Sequence, residues 1–261
     1  MNDAAAPCPP EFLALADRLV AASGAVIRRY YRTPVAVDAK ADQSPVTIAD
    51  REAEAAIRAI LTEERPQDGI HGEEYGIERP DARYVWVLDP IDGTKAFITG
   101  RPLFGTLVAL LRDGVPILGV IDQPVLGDRW TGALGRQTIF NGAPATTRRC
   151  PRLADAILNA TSPDMFTGPD KARFDALKEG ARITTYGGDC YGFGLVASGY
   201  IDLTVEANLQ LYDFAALAPI VTGAGGRFTD WEGRPVGSSC DGRVIAAGDP
   251  DLHAEALKLL A

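Results

Sequence analysis

Cysteine and positive charge are both scarce in this chain of 261 residues, and each shortage excludes a class of protein. The four cysteines show no C-x-x-C spacing, which excludes zinc-finger and thioredoxin-like motifs and favours reduced thiols in the cytoplasm. Lysine and arginine total 26 against 35 acidic residues, so the formal net charge is −9. We therefore expect no nucleic-acid partner and no anionic membrane partner, because the chain would repel their phosphates. A small phosphate ester is compatible with this charge, since a bound metal ion reverses the local field.

Long apolar runs are also missing. No run reaches about 18 residues without a charged residue, glycine or proline, so we expect no transmembrane helix. The first ten residues lack a basic segment followed by an apolar one, so we expect no signal peptide. Hydrophobic residues make up 46% of the chain and charged residues 23%, which is ordinary for a globular protein.

The order of the predicted elements changes near residue 150. Residues 1–150 show two helical patterns followed by many strand patterns, whereas residues 151–261 alternate strands and helices in the α/β manner. We predict an N-terminal α+β half, 1–150, which carries the metal-binding loops described below. A C-terminal α/β half, 151–261, is expected to pack with it as one catalytic unit.

The most informative stretch is the end of a predicted strand, where Trp-Val-Leu runs into Asp-Pro-Ile-Asp-Gly-Thr at residues 89–94. Asp89 and Asp92 lie three residues apart, and paired carboxylates at a strand end suit a hard cation such as Mg²⁺. Gly93 and Thr94 can present backbone N–H groups and a hydroxyl to a phosphate. Metal and phosphate in one loop predict metal-assisted phosphoryl transfer, against the alternative of a simple capped turn.

Two further acids, Glu73 and Asp213, stand beside a glycine or a helix start and could converge with Asp89 and Asp92. Such a cluster would repel itself without cations. With two or three Mg²⁺ ions it would form a site in which one metal activates water and another stabilises the leaving oxygen. Glu73 taken alone would be read as an ordinary exposed loop acid, so its assignment depends on the Asp89 loop.

Three motifs together resemble the inositol monophosphatase family. They are Gly72-Glu73-Glu74, Trp86 to Thr94, and Tyr212-Asp213 followed by an apolar helix and Gly223-Ala-Gly-Gly226. The resemblance covers nearly the whole chain, from about Phe12 to Leu260. It implies a layered αβαβα sandwich of the inositol monophosphatase and fructose-1,6-bisphosphatase type. It also implies a Mg²⁺-dependent phosphomonoesterase that forms a homodimer.

The resemblance also assigns roles to individual residues. It implies that the metal ligands are Glu73, Asp89, the carbonyl of Ile91, Asp92 and Asp213. Phosphate contacts are implied for Gly93 and Thr94, and the metal ligands Asp89, Ile91, Asp92 and Asp213 would border the substrate as well. The catalytic residues would be Asp50, Glu73 and Thr94, with Asp50 and Thr94 activating the attacking water.

Substrate choice is indicated by a different set of residues. Tyr212 stands where the family usually has tryptophan. The sequence at this position, at residues 95–106 and at residues 187–191 is similar to that of the histidinol-phosphatase branch. L-Histidinol phosphate carries an ammonium group and an imidazole, so its pocket needs a carboxylate outside the metal cluster. Asp189 and Glu206 are the candidates. An N-cap is an equally good interpretation of Asp189, and a plain strand-end acid is an equally good one of Glu206.

Several alternatives remain open. myo-Inositol 1-phosphate is the nearest rival substrate, because its hydroxyls would also use carboxylates, while 3′(2′),5′-bisphosphate nucleotides and fructose 1,6-bisphosphate are more distant. A non-catalytic metal- or phosphate-binding regulator on the same fold would have to lack a ligand, and none is missing from the sequence. A Rossmann-type oxidoreductase is disfavoured, because Gly223–Gly226 follows a helix and does not link a strand to a helix start.

Overall fold

The structure is a computed structural model that describes residues 6–39 and 45–261. The helices are α1 Pro10–Tyr30, α2 Ile48–Glu64, α3 Thr94–Ile98, α4 Gly168–Gly180, α5 Cys190–Ala197, α6 Leu211–Phe214, α7 Leu217–Gly223 and α8 Pro250–Leu260. The strands are β1 Val37–Ala39, β2 Pro45–Thr47, β3 Gly69–Gly72, β4 Gly76–Glu78, β5 Tyr84–Asp92, β6 Gly105–Arg112, β7 Val115–Gln123, β8 Asp128–Ala133, β9 Ile139–Phe140, β10 Ala143–Pro144, β11 Ile157–Ala160, β12 Ile183–Tyr186, β13 Leu203–Glu206, β14 Arg227–Asp230 and β15 Val244–Ala247.

The larger sheet has the strand order β10-β9-β8-β7-β6-β5-β3-β4. Strands β5 to β8 form an antiparallel meander, in which Asp113 and Gly114 make the hairpin turn between β6 and β7. Their φ angles are 52° and 79°, the left-handed pair that a two-residue hairpin requires. Strand β3 runs parallel to β5, with Gly72 opposite Leu88. The carboxyl ends of β3 and β5 therefore meet at one edge of the sheet.

The smaller sheet has the order β12-β11-β13-β15-β14. Strand β11 pairs in parallel with β12 and β13, while β15 pairs antiparallel with β13 and β14. Its strands lie between residues 157 and 247, and those of the larger sheet lie between residues 69 and 144. The division of the chain near residue 150 stays a prediction.

Three hydrophobic cores separate the layers. Alternation along β5 turns Trp86 towards α1 and α2 on one face of the larger sheet and Val87 towards α5 and α7 on the other. The α5–α7 layer also packs on the smaller sheet, where it contacts Val244. Helices α4 and α8 cover the outer face of that sheet through residues such as Phe174 and Leu252. This αβαβα order confirms the predicted fold.

Helix α1 is amphipathic, with one face buried against the larger sheet. At 21 residues it is long, but among the helices of the described ranges none combines the length and apolarity needed to cross a membrane.

Candidate active site

The loop at the end of β5 carries the paired aspartates. The ladder between β5 and β6 is irregular between Asp89 and Asp92, where Pro90 has no N–H to donate. The Ile91 N–H donates to Asp89 Oδ1 at 3.0 Å, and the Thr106 hydroxyl donates to the Pro90 carbonyl at 2.8 Å. These bonds fix a bulged strand end, a feature that commonly redirects side chains next to active sites.

Three carboxylates converge at this edge. One oxygen each from Asp89, Asp92 and Asp213 lies within 4.8 Å of the others. Asp213 is delivered by α6, where its Oδ2 accepts the Gln210 N–H at 2.6 Å. Burial, and then the charges of neighbouring acids, raises the pKa values of Asp89 and Asp92 well above the usual range. A buried cluster of this kind is destabilised by its own charge, and hard cations would relieve that repulsion.

Glu73 joins the cluster because β3 and β5 are parallel neighbours. Its N–H donates to the Leu88 carbonyl at 3.1 Å, and its side chain is hydrogen-bonded to Asp89. The charge of Glu73 is one of the causes of the raised pKa of Asp89. The structure thus brings together Glu73, Asp89, Asp92 and Asp213, as the sequence predicts.

Asp50 approaches from α2, in the first turn of the helix. Thr47 is the N-cap residue, and Asp50 Oδ2 accepts both the Thr47 N–H at 2.8 Å and the Thr47 hydroxyl at 2.7 Å. Asp50 Oδ1 is buried and has no hydrogen-bond partner within the described residues. Burial chiefly, and the charge of Glu73 to a smaller extent, raises the pKa of Asp50. A buried oxygen without a donor costs stability, so this atom is suited to a water molecule or a cation beside Glu73.

The Gly93–Thr94 segment forms the other wall of the cluster. Gly93 has φ of 88° and begins helix α3, so the first N–H groups of that helix face the loop. The positive φ favours glycine at this position, and a Cβ there would also make a tight contact of 3.0 Å with the Asp189 carboxyl. The Thr94 hydroxyl donates to the Ile91 carbonyl at 3.1 Å.

Asp189 lies at the N-cap position of α5 with φ of 46°, but its side chain makes no capping hydrogen bond to the described residues. The capping interpretation is therefore wrong for the side chain, which lies against Gly93 instead. Burial raises the pKa of Asp189 to about 6, and the charge of Lys95 acts in the opposite direction. Asp189 thus places a carboxyl group beside the predicted phosphate loop.

Glu206 ends β13 and is only 3% exposed, so it is not a plain surface acid. Its Oε1 accepts the N–H of Thr161 at 3.1 Å and the Thr161 hydroxyl at 2.6 Å. Burial raises the pKa of Glu206 to about 8, with contributions from the charges of Asp189 and Asp213. Glu206 therefore lies close enough to the cluster to interact with it.

Two contributors were missed in the sequence. The Cys190 N–H donates to Asp92 Oδ2 at 2.5 Å, which orients that carboxylate from α5. Glu54, one turn after Asp50 on α2, is fully buried and accepts hydrogen bonds from the turn that contains Glu73. The signal for Glu54 was present, because Glu54 and Arg58 interrupt the apolar stripe of α2 at a spacing of four residues.

Comparison with known proteins agrees with this geometry. The model of the inositol monophosphatase family matches residues 9–261. The bifunctional phosphatase IMPL2, chloroplastic, of Arabidopsis thaliana is 48% identical over 260 residues, covering 95% of this chain and 75% of that protein. A histidinol-phosphatase of Mycobacterium tuberculosis is 37% identical over 255 residues, covering 95% of each. A solved inositol monophosphatase from Zymomonas mobilis is 52% identical with a TM-score of 0.89, covering 96% of this chain and 97% of that one.

The layered fold and the carboxylate cluster at the edge of its larger sheet are those of a phosphomonoesterase. The chain belongs to the inositol monophosphatase family.

Proposed function

We propose that the chain is a Mg²⁺-dependent phosphatase that hydrolyses L-histidinol phosphate to L-histidinol and phosphate. The observation that carries the substrate assignment is the Asp189 carboxyl, which lies beside Gly93 without capping α5. A carboxylate there suits a substrate with a cationic end. The 37% identical histidinol-phosphatase supports the same assignment.

The donor set fits Mg²⁺, because carboxylate and carbonyl oxygens are the ligands that this hard cation prefers. Two or three ions would be held by Glu73, Asp89, the Ile91 carbonyl, Asp92 and Asp213. When bound, Mg²⁺ supplies the positive charge that activates a water nucleophile and offsets charge on the leaving oxygen. Asp89 is needed as a ligand in this arrangement, so no covalent phospho-enzyme is expected.

The remaining steps use side chains and backbone of the chain itself. The Thr94 hydroxyl donates to Ile91, so its oxygen lone pairs are free to accept a hydrogen bond from water and orient it. Asp50 offers the orphaned Oδ1, and its raised pKa makes it a better proton acceptor at neutral pH. The N–H groups of Gly93 and Thr94 would hold phosphoryl oxygens at the start of α3.

The substrate end away from the phosphate would lie between Asp189 and Glu206. The charge of Asp189 would bind the ammonium group, and a bound cation would favour the ionised form of Glu206, whose pKa burial raises to about 8. Inositol 1-phosphate is the second candidate, and the 52% identical solved structure favours it. Its hydroxyls would donate to the same carboxylates.

Two wider expectations belong to this proposal. All four cysteines lie in the described residues and are free thiols, which is compatible with a cytoplasmic protein. The homodimer is carried over from the family resemblance.

The test is phosphate release from a panel of substrates with Mg²⁺ present. The panel comprises L-histidinol phosphate, myo-inositol 1-phosphate, a 3′,5′-bisphosphate nucleotide and fructose 1,6-bisphosphate. We expect kcat/KM to be highest for histidinol phosphate. A clear preference for inositol phosphate would overturn the substrate assignment and leave the reaction intact. Full activity after treatment with a chelator would overturn the metal dependence.

A further inference from the structure

The turn that contains Glu73 is held from one side by two buried, oppositely charged residues of α2. Glu54 and Arg58 lie four residues apart, and Arg58 Nε donates to Glu54 Oε1 at 2.7 Å. We call this ion pair the Glu54–Arg58 clamp. Neither residue belongs to the carboxylate cluster itself.

The Glu54 carboxylate contacts the backbone on both sides of Glu73. Its Oε2 accepts the Glu74 N–H at 2.8 Å, and its Oε1 accepts the Tyr75 N–H at 3.2 Å. Before Glu73, the Glu54 carboxylate occupies the space that a side chain at Gly72 would need. The peptide unit that follows Glu73 is therefore fixed by hydrogen bonding to one buried carboxylate.

Arg58 makes hydrogen bonds to the residues that follow this turn. Its Nη2 donates to the Gly76 carbonyl at 2.5 Å, and its Nη1 donates to Glu78 Oε1 at 2.7 Å. The guanidinium thus bridges Glu54 and strand β4. The planar guanidinium donates to three acceptors at once, a geometry that the ammonium group of a lysine cannot reproduce.

Apolar packing does little to hold this segment. All three residues of β4 are exposed, and Tyr75 and Ile77 are 53% and 54% exposed. Burial that could order the turn is therefore small, and the charged hydrogen bonds of the clamp add to the backbone pairing of β3 with β4 that closes it. Hydrogen bonds to charged groups contribute more than neutral ones.

We propose that the Glu54–Arg58 clamp is a positioning device that fixes the Glu73 carboxylate beside Asp89 and thereby sets the affinity of the site for Mg²⁺. The clamp does this without touching the metal. The inference rests on the proposed function, in which Glu73 is a metal ligand. Replacing a group that holds a metal ligand in place typically weakens metal affinity by about 10- to 100-fold.

One helix then serves the site in two ways. Asp50, in the first turn of α2, presents an oxygen to the cluster, while Glu54, in the next turn, holds the neighbouring loop. Since α2 itself packs on α1 and the larger sheet through Ile57 and Leu61, its position is fixed by the core.

The test is the Glu54→Gln variant of the full chain, titrated with Mg²⁺ by calorimetry. Glutamine keeps the shape but loses the charge, so we expect Mg²⁺ binding to weaken about 10- to 100-fold. At saturating Mg²⁺ the KM for substrate should stay close to that of the wild type. Amide exchange at residues 73–76 should quicken in the metal-free protein. Glu52→Gln is the matched control, because Glu52 lies on the same helix in an exposed pair with Arg29.

The outcomes separate this inference from the proposed function. Wild-type Mg²⁺ affinity in Glu54→Gln, with weakened binding in Glu73→Gln, would overturn the clamp and leave the ligand assignment intact. Wild-type affinity in Glu73→Gln itself would overturn the proposed ligand. If Glu54→Gln does not fold, Arg58→Lys replaces it in the same titration. A loss of Mg²⁺ affinity in Arg58→Lys with faster exchange at 73–76 supports the clamp, and unchanged values overturn it.

Discussion

The candidate site has two groups of carboxylates in different surroundings, which we call the first wall, Asp89, Asp92 and Asp213, and the second wall, Asp189 and Glu206. On the larger sheet, Asp89 and Asp92 lie close to Asp213 and repel one another. Asp189 at the start of α5 and Glu206 at the end of β13 lie beside that cluster, and Thr161 donates to one oxygen of Glu206. Small, hard cations would relieve the repulsion within the first wall, whereas the second wall suits an organic cation or the hydroxyl groups of a substrate. In the proposed function, the first wall carries the reaction and the second wall carries the choice of substrate.

The start of α5 connects the two walls. The Cys190 N–H orients Asp92, while Asp189, one residue earlier, lies against Gly93. The left-handed φ of Asp189 is what lets consecutive residues serve opposite sides. Exchanging residues on either wall should therefore reveal how far the two tasks are independent.

The largest effect is expected on the first wall. Asp89→Asn should lower kcat about 10³-fold or more, because a metal site supplies several kcal/mol of charge stabilisation. The fold should survive, since the variant removes a buried charge that its neighbours disfavour. Phosphate release and thermal unfolding in chelator would measure both. Asp81→Asn, at an exposed loop acid, is the matched control, and full activity of Asp89→Asn would refute the ligand role.

An intermediate effect is expected on the second wall. Asp189→Asn should lower kcat/KM for histidinol phosphate about 10- to 100-fold, the equivalent of one hydrogen bond to a charged group. Hydrolysis of p-nitrophenyl phosphate, which has no cationic end, should change little. Asp175→Asn on the exposed side of α4 is the control. An equal loss on both substrates would show that Asp189 serves the metal or phosphate side.

The last prediction concerns stability and not activity, and it is a pH-dependent change at Glu206. Its folded-state pKa is about 8, above the value of about 4.3 for an unfolded glutamate. Between these values the unfolded chain is ionised and the folded chain holds the proton, so stability falls as pH rises. Glu206→Gln removes the ionisable group and with it this loss of stability at rising pH.

In chelator, the gain in Tm of Glu206→Gln over the wild type should therefore grow between about pH 4 and pH 8 and then level off. Thermal unfolding across this range measures it, with the exposed Glu63→Gln as the control. A difference that is constant with pH would show that burial does not shift the titration of Glu206.

The reaction side was largely predictable from sequence, because its signals are local. The Asp-Pro-Ile-Asp-Gly-Thr loop carries two acids, a proline that interrupts a ladder and a glycine that can take a positive φ. The parallel pairing of β3 and β5 then carries Glu73 to Asp89. The αβαβα layering came from family resemblance, not from the period of the apolar residues alone.

The substrate side and the clamp were not predictable in the same way. The sequence fits Asp189 equally well as an N-cap and as a pocket residue. The structure excludes the side-chain cap, and the pocket role stays a prediction. Glu54 and Arg58 interrupt the apolar stripe of α2, which signals burial, but nothing in the sequence tells which segment they contact. Both depend on which segments the packed layers bring together.

The sequence by itself determined the chemical groups, their local turns and the class of reaction, because these depend on residues within a few positions of one another. Only the tertiary structure decided the distances among Asp89, Asp92 and Asp213, the burial that raises the pKa values of Asp89 and Asp92, and the hydrogen bonds between α2 and the Glu73 turn. The physical reason is that burial and electrostatic coupling act through space, between segments that lie far apart along the chain.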